Sequence, residues 1–131
     1  MKLTVDTNVL VRAIVQDDVK QGKTAARILK SAEQIVVSNF VLCELVWVLR
    51  RVYDFSKDDI APAIATLAAA HNVVMNRPAV EAGLVVLLAG GDFADGIIAF
   101  EGRWLGGETF VSFDKNAVAI LLSQDHSAKL L

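Results

Sequence analysis

Short apolar runs with the composition of β-strands alternate along this chain with longer segments that carry helical signals. The predicted strands cover residues 2–5, 35–37, 73–75 and 109–113. A parallel strand pair needs a long crossover connection, usually a helix, so this alternation favours parallel pairing. The sequence therefore predicts an α/β fold of three layers, α/β/α, around a central parallel sheet of four to five strands.

Capping residues predict where several helices begin. The candidate N-caps are short oxygen-bearing side chains just ahead of a helical segment: Asp17 or Asp18, Ser38 or Asn39, Ser56 and Asp92. Asp59 stands where it can complete a capping box with Ser56. The remaining helices are predicted over residues 9–15, from Pro78 to the pair Gly90-Gly91, and over 115–122.

Length and composition predict a single domain over residues 1–131. The chain is 54% hydrophobic with a mean hydropathy of +0.47, a surplus that favours a partner or a homodimer, with a core rich in alanine and valine as the alternative. No apolar run reaches the roughly 18 residues of a membrane helix, so no membrane association is expected. The strand-like N-terminus lacks a secretory pattern, and Cys43 is the single cysteine. Both features fit a cytoplasmic protein.

Charge and histidine content restrict the chemistry. The net charge of −2 argues against a protein that binds nucleic acid by bulk positive charge. It leaves open an enzyme that contacts phosphates through a metal. His71 and His126 stand far apart in polar segments, so a histidine metal site or a Ser-His-Asp triad is poorly supported.

Four isolated carboxylates interrupt or end apolar stretches of the chain: Asp6, Glu44, Asp95 and Asp114. An unpaired charge in such surroundings costs several kcal/mol or shifts its pKa. Neither Glu44 nor Asp95 has a basic residue three or four positions away on its helix. Distant basic partners remain open. If the four acids converge instead, they form an all-oxygen site that suits Mg²⁺ or Mn²⁺.

Four motifs carry these acids in a characteristic order. They are VDTNVL at 5–10, SNFVLCEL at 38–45, DFADGIIA at 92–99 and TFVSFDK at 109–115. In this order and spacing the chain resembles the PIN-domain nucleases, most closely the VapC-type ribonuclease toxins of type II toxin–antitoxin systems. The chain departs from the common pattern at Gly96, where the family more often has alanine. Glycine costs a helix roughly 1 kcal/mol there and removes no ligand.

The resemblance implies an endoribonuclease that hydrolyses RNA with Mg²⁺ or Mn²⁺ and leaves a 5′-phosphate and a 3′-hydroxyl. By motif, the catalytic and metal-binding acids would be Asp6, Glu44, Asp95 and Asp114. Asp92 is expected to be a helix cap and is a secondary metal candidate.

Short polar side chains beside the acids could orient carboxylates or waters, or serve ordinary turns and caps: Thr7, Asn8, Ser112 and Asn116. Arg12 and Lys115 are candidate RNA contacts, with solvated surface charge as the alternative. Trp47 and Trp104 are expected in the core or at an interface. The partners implied are an RNA substrate, a cognate antitoxin protein and a second copy of the chain.

Three other classes remain as rivals. A haloacid-dehalogenase-like phosphatase also places Asp after its first strand, but it needs a second Asp where this chain has Asn8. A receiver domain would need an additional acidic pair and a lysine on a late strand. A non-catalytic binding module would hold its acids as structural groups paired with distant arginines.

Overall fold

The computed structural model describes residues 1–131, which form seven helices and five strands. Contacts within the chain divide it into two compact units, Met1–Asn76 and Arg77–Leu131. The predicted single domain over residues 1–131 stays a prediction.

A three-stranded parallel sheet runs through the first unit. Its strands are β1 (Lys2–Thr4), β2 (Gln34–Val36) and β3 (Val73–Val74), in that order. Leu3 lies opposite Ile35, and Ile35 lies opposite Val73. Helices fill both connections, as parallel pairing requires. The predicted parallel arrangement is confirmed for these strands.

Four helices accompany that sheet: α1 (Thr7–Val15), α2 (Val19–Ser31), α3 (Asn39–Arg51) and α4 (Lys57–Ala69). Ser38 caps α3 by accepting a bond from the Val41 amide, and Ser56 and Asp59 form the predicted capping box. The α1 helix begins at Thr7, two residues before its predicted start, because Asp6 caps it.

Apolar side chains from the sheet and helices form the core of the first unit. The fully buried ones include Leu10, Ile35, Leu42, Leu45, Leu49, Ile60 and Ile64. Asn72 is also buried, and its side-chain amide donates to the carbonyls of Leu29 and Ala32 at 2.9 and 3.0 Å. These bonds satisfy carbonyls that the end of α2 would leave without partners.

The second unit contains α5 (Arg77–Leu88), α6 (Phe93–Trp104), β4 (Phe110–Ser112), α7 (Lys115–Ser123) and β5 (Ala128–Leu130). The strands β4 and β5 pair in parallel, with Phe110 opposite Ala128. The sequence patterns did not predict β5. Val86 and Leu121 form a buried cluster, and Phe93 is almost completely buried.

Two glycines let α5 and α6 approach closely. A side chain at Gly96 would place its Cβ 2.7 Å from the Cα of Gly83 and against the carbonyl of Ala82. A Cβ at Gly83 would lie 2.6 Å from the ring of Phe93. Both distances are shorter than carbon–carbon packing allows. Close packing against α5 therefore requires glycine at position 96, despite the cost to helix stability predicted from sequence.

Both tryptophans lie at the surface. Trp47 is 61% exposed and Trp104 is 82% exposed, so a core position is wrong for either, and an interface position stays a prediction. No helix in the chain has the length and apolar character needed to cross a membrane.

Candidate metal centre

Asp6 occupies the junction between β1 and α1. Its Oδ1 accepts the Thr7 backbone N–H at 2.7 Å, and its Oδ2 accepts from the side chain of Asn8 at 3.4 Å. The carboxylate is exposed, although the residue before it, Val5, belongs to the core. The strand is thus anchored by burial, while the helix start holds the carboxylate at the surface.

Glu44 is held by a residue 37 positions earlier. The hydroxyl of Thr7 donates to Oε1 of Glu44 at 2.6 Å, and Thr7 is itself buried. Glu44 projects from the exposed side of α3 while its neighbour Leu45 is fully buried. The bond joins the start of α1 to α3 and fixes one oxygen of Glu44. The predicted supporting residue Thr7 therefore contacts a predicted acid.

An open groove of about 420 Å³ contains this pair of acids. It is lined by Asp6, Thr7, Asn8, Val11, Arg12, Glu44, Val48, Val52 and Tyr53. The groove thus brings together two of the four predicted catalytic acids, both supporting residues predicted beside them and one predicted RNA contact.

Arg12 is already engaged on one side of the groove. Its Nη1 forms an ion pair with Asp17 at 2.6 Å, and its Nη2 donates to the hydroxyl of Tyr53 at 3.1 Å. Tyr53 in turn donates to Asp17 at 3.0 Å. The hydrogen bond with Tyr53, aided by the charge of Asp17, raises the pKa of Arg12. A role of Arg12 in RNA contact stays a prediction.

Tyr53 and Asp17 are site-lining or site-supporting residues that sequence reasoning missed. Tyr53 falls after the last residue of α3, and no local pattern marks it. Asp17 looks like a helix cap in sequence, but Asp18 caps α2 by accepting from the Gln21 amide. The five-residue spacing from Arg12 to Asp17 was the available signal.

Three further acids lie together in the second unit. Asp95 is in the first turn of α6 and is half-buried. Burial raises the pKa of Asp95, and the nearby charges of Asp92 and Asp114 raise it further. A cation beside these groups would favour the charged form of Asp95 and so oppose both causes of that rise.

Asp114 and Asp92 both stand at helix starts but differ in what they do there. Oδ1 of Asp114 accepts the backbone N–H groups of Asn116 and Ala117 at 2.9 and 3.1 Å. Asp92 occupies the N-cap position of α6, yet its side chain makes no capping hydrogen bond. The predicted N-cap position of Asp92 is confirmed, although its carboxylate does not supply the capping hydrogen bond. Because it makes no cap bond, Asp92 remains a metal candidate.

Two predicted supporting residues adjoin Asp114. Oγ of Ser112 accepts the Asp114 backbone N–H at 3.0 Å, which fixes the turn between β4 and α7. The side-chain amide of Asn116 donates to the carbonyl of Gly90 at 3.2 Å, away from the carboxylate. Lys115 is exposed, and its RNA contact stays a prediction.

The donor set suits a hard divalent cation. All five acids offer carboxylate oxygens, which Mg²⁺ and Mn²⁺ prefer, and none of the five forms an ion pair. Neither unit contains a group of three or more His, Cys, Asp or Glu residues arranged to hold a metal ion. The proposed ligand set of Asp6, Glu44, Asp95 and Asp114 therefore stays a prediction.

Comparison with protein families identifies the one to which the chain belongs. The model of a family described as the PIN domain matches residues 3–120, from within β1 to within α7. No curated protein matches the chain. The match confirms the predicted α/β class with parallel strands. The match identifies the PIN-domain family and no subtype within it.

Proposed function

We propose, on the premise that the chain belongs to the PIN-domain family, that it is an endoribonuclease dependent on Mg²⁺ or Mn²⁺. PIN domains are generally metal-dependent nucleases. The observation that carries the proposal is the environment of Asp95. This carboxylate is half-buried, and the nearby charged groups Asp92 and Asp114 are also acidic. Such a group lacks a neutralising partner that a divalent cation would supply.

Four acids are proposed to hold the metal: Asp6, Glu44, Asp95 and Asp114, with Asp92 as the secondary candidate. When bound, the ion would lower the pKa of a water and stabilise the charge that builds on the scissile phosphate. Asp6 and Asp95 are the ligands we assign first.

Glu44 is suited to orient the attacking water. Thr7 holds its Oε1, which leaves Oε2 free to accept a hydrogen bond or a proton in the groove. A base fixed at one oxygen loses less conformational freedom when it engages a water. The products expected from attack by water are a 5′-phosphate and a 3′-hydroxyl.

Two rivals predict features that differ from those observed. A binding module with structural acids predicts ion pairs from these acids to distant arginines, and Arg12 pairs with Asp17 instead. A haloacid-dehalogenase-like phosphatase needs an acid/base at position 8. Asn8 cannot donate and recover a proton there, and it hydrogen bonds to Asp6.

We further propose that the protein is the toxin of a toxin–antitoxin module and acts in the cytoplasm. Phe40 and Trp47 leave 73% and 61% of their surfaces exposed on α3, and such large apolar groups favour coverage by another chain. A cognate antitoxin and a second copy of the chain are the proposed partners.

The deciding experiment is cleavage of total cellular RNA by the purified, partner-free protein. Reactions would contain Mg²⁺, Mn²⁺ or a chelator, and would compare the wild type with Asp95→Asn. Asp125→Asn is the matched control, because it removes the same charge at an exposed position with φ of 61°, a conformation that asparagine tolerates.

Metal-dependent cleavage that is lost only in Asp95→Asn would support the proposal. If Mn²⁺ binds to the wild type and not to Asp95→Asn, but neither protein cuts RNA, the metal centre stands and the substrate is wrong. Absence of both metal binding and cleavage would favour structural acids.

A further inference from the structure

One helix carries a concentration of positive charge in an otherwise acidic chain. Four of the thirteen basic residues lie in α2, which contains no acidic residue, whereas the whole chain has a net charge of −2. The four are Lys20, Lys23, Arg27 and Lys30. We call them the α2 stripe, because spacings of three, four and three residues place them along one face of the helix.

The α2 stripe is not neutralised by the protein. All four side chains are exposed, and none forms an ion pair. Asp18, the nearest acid in sequence, is used as the cap of the helix. From Lys20 to Lys30 the helix rises about 15 Å, which is long enough to follow several phosphates of an extended strand.

A groove adjoins the stripe and leads toward the candidate centre. It lies between α1 and α2, has a volume of about 590 Å³, and is lined by Asn8, Val9, Arg12, Lys20, Gln21, Thr24, Ala25 and Ile28. Lys20 belongs to both the stripe and this groove. Asn8 and Arg12 also line the groove that contains Asp6 and Glu44. Lys20 therefore connects the stripe to the α1–α2 groove, and Asn8 and Arg12 connect that groove to the acidic groove, all within the first unit.

We infer that the α2 stripe binds the phosphodiester backbone of single-stranded RNA and directs the strand along the α1–α2 groove toward Asp6 and Glu44. The inference rests on the proposed function. A row of uncompensated cations matches a polyanion, and binding would release the counterions condensed on the RNA. Gln21 and Thr24 add side-chain groups able to hydrogen bond to sugars or bases.

The separation of charge also explains how an acidic protein can engage RNA. The acids proposed to bind metal repel phosphate until a cation is present. A separate basic surface gives the strand an attachment that does not depend on that cation. Binding strength and cleavage would then be governed by different residues.

The first test measures binding of a labelled 20-nucleotide single-stranded RNA by fluorescence anisotropy, in chelator so that the RNA stays intact. The variant is Lys23→Ala with Arg27→Ala, two exposed positions whose loss leaves the core untouched. We expect about tenfold weaker binding and a fall of about 1.4 in the slope of log affinity against log salt, about 0.7 per lost phosphate contact.

The matched control is Lys2→Ala with Lys129→Ala. It removes the same charge from two exposed lysines on β1 and β5, outside α2. We expect the control to bind RNA as the wild type does. Equal weakening in both double variants would overturn the inference, because the effect would then follow net charge alone. Three other outcomes would also overturn the inference. The α2 variant could bind RNA as tightly as the wild type, the wild type could fail to bind RNA, or the wild type could bind duplex DNA more tightly than RNA.

A second measurement separates this inference from the proposed function. Metal-dependent hydrolysis of bis(p-nitrophenyl) phosphate, a small diester, reports on the acidic centre without a strand. We expect the α2 variant to hydrolyse it at the wild-type rate while cutting RNA about tenfold more slowly at low RNA concentration. If the small diester is hydrolysed but the α2 variant binds RNA as tightly as the wild type, the inference fails and the nuclease proposal stands. If RNA binds through the stripe and no diester is hydrolysed, the proposed function fails alone.

Discussion

The two groups of acids differ in what surrounds their carboxylates. Asp6 and Glu44 accept hydrogen bonds from neutral groups: a backbone amide, the Asn8 side chain and the Thr7 hydroxyl. Asp95 instead lies near two other carboxylates, and its pKa is raised by burial and by them. Neutral donors orient an acid without changing the local charge, whereas crowded acids store an electrostatic cost that a cation relieves. Asp6 and Glu44 are therefore already oriented by hydrogen bonds, whereas the carboxylates around Asp95 repel one another until a cation binds.

The largest expected effect tests whether both groups serve the same reaction. Asp6→Asn and Asp95→Asn should each lower metal-dependent RNA cleavage more than about 100-fold, beyond what the loss of a supporting residue causes. The double variant should be no slower than the worse single variant, because residues that act as a unit are not additive. The rates would be measured on one RNA under single-turnover conditions.

Multiplying losses in the double variant would mean that the groups act independently. A wild-type rate for either single variant would remove that residue from the centre. Circular dichroism of each variant would confirm that the fold is retained.

Orientation by a neutral donor is tested at Thr7. Thr7→Val keeps the shape of the side chain and removes the hydroxyl that holds Glu44 at 2.6 Å, so cleavage should fall by about 10- to 100-fold. Thr7→Ser keeps the hydroxyl and should retain most activity.

A purely structural role for Thr7 would lower stability and leave the cleavage rate of the folded protein unchanged. Recovery in the serine variant, measured alongside thermal unfolding, distinguishes the two outcomes.

Placement of Asp95 by helix packing is tested at Gly96. Gly96→Ala should lower the free energy of unfolding by about 1–3 kcal/mol, because the added Cβ meets the backbone of α5. Gly102→Ala is the control on the same helix, since nothing lies within 4 Å of its Cβ. Alanine there should stabilise by up to about 1 kcal/mol. The two variants would be compared by urea unfolding. Equal changes in the free energy of unfolding would show that α5 shifts to accommodate the Cβ at position 96.

The smallest expected effect concerns the cost in stability of ionising Asp95. The pKa of Asp95 in the folded protein is raised above its ordinary value of 3.8, so its ionised form costs stability. That cost is absent below the ordinary value, grows as pH rises toward the folded pKa, and is complete above it. In metal-free buffer, Asp95→Asn should therefore raise the melting temperature at neutral pH, and the gain should disappear in acid.

The control for that effect comes from the first group. Asp6→Asn should leave the melting temperature nearly unchanged, because asparagine caps helices about as well as aspartate. A gain at Asp95 that persists in acid would point to packing and not to charge.

Features set by near neighbours in the sequence could be predicted. The capping box of Ser56 and Asp59 needs only a three-residue spacing, and it formed as expected. Ser38 likewise starts α3. The alternation of strand and helix patterns predicted the fold class, and four motifs together indicated the family, because they carry information that none carries alone.

Features set by distant contacts could not be predicted. The bond from Thr7 to Glu44 spans 37 positions, and the need for glycine at 96 exists only because α5 is close. The strand β5 depends on pairing with β4 and has no strong pattern of its own. Asp92 shows the reverse case, since a good local cap signal did not yield a side-chain cap bond.

The helix cap at Asp114 would limit how that residue coordinates the proposed metal ion. Its Oδ1 already accepts two backbone N–H groups, so Oδ2 alone is left to coordinate. Bidentate binding would require the first turn of α7 to give up its cap, at a cost of about 1 kcal/mol. Ca²⁺ often takes both oxygens of a carboxylate, whereas Mg²⁺ keeps several waters and accepts single oxygens. If Asp114 is a ligand of the proposed metal, the start of α7 would therefore favour coordination through one oxygen, which suits Mg²⁺ better than Ca²⁺.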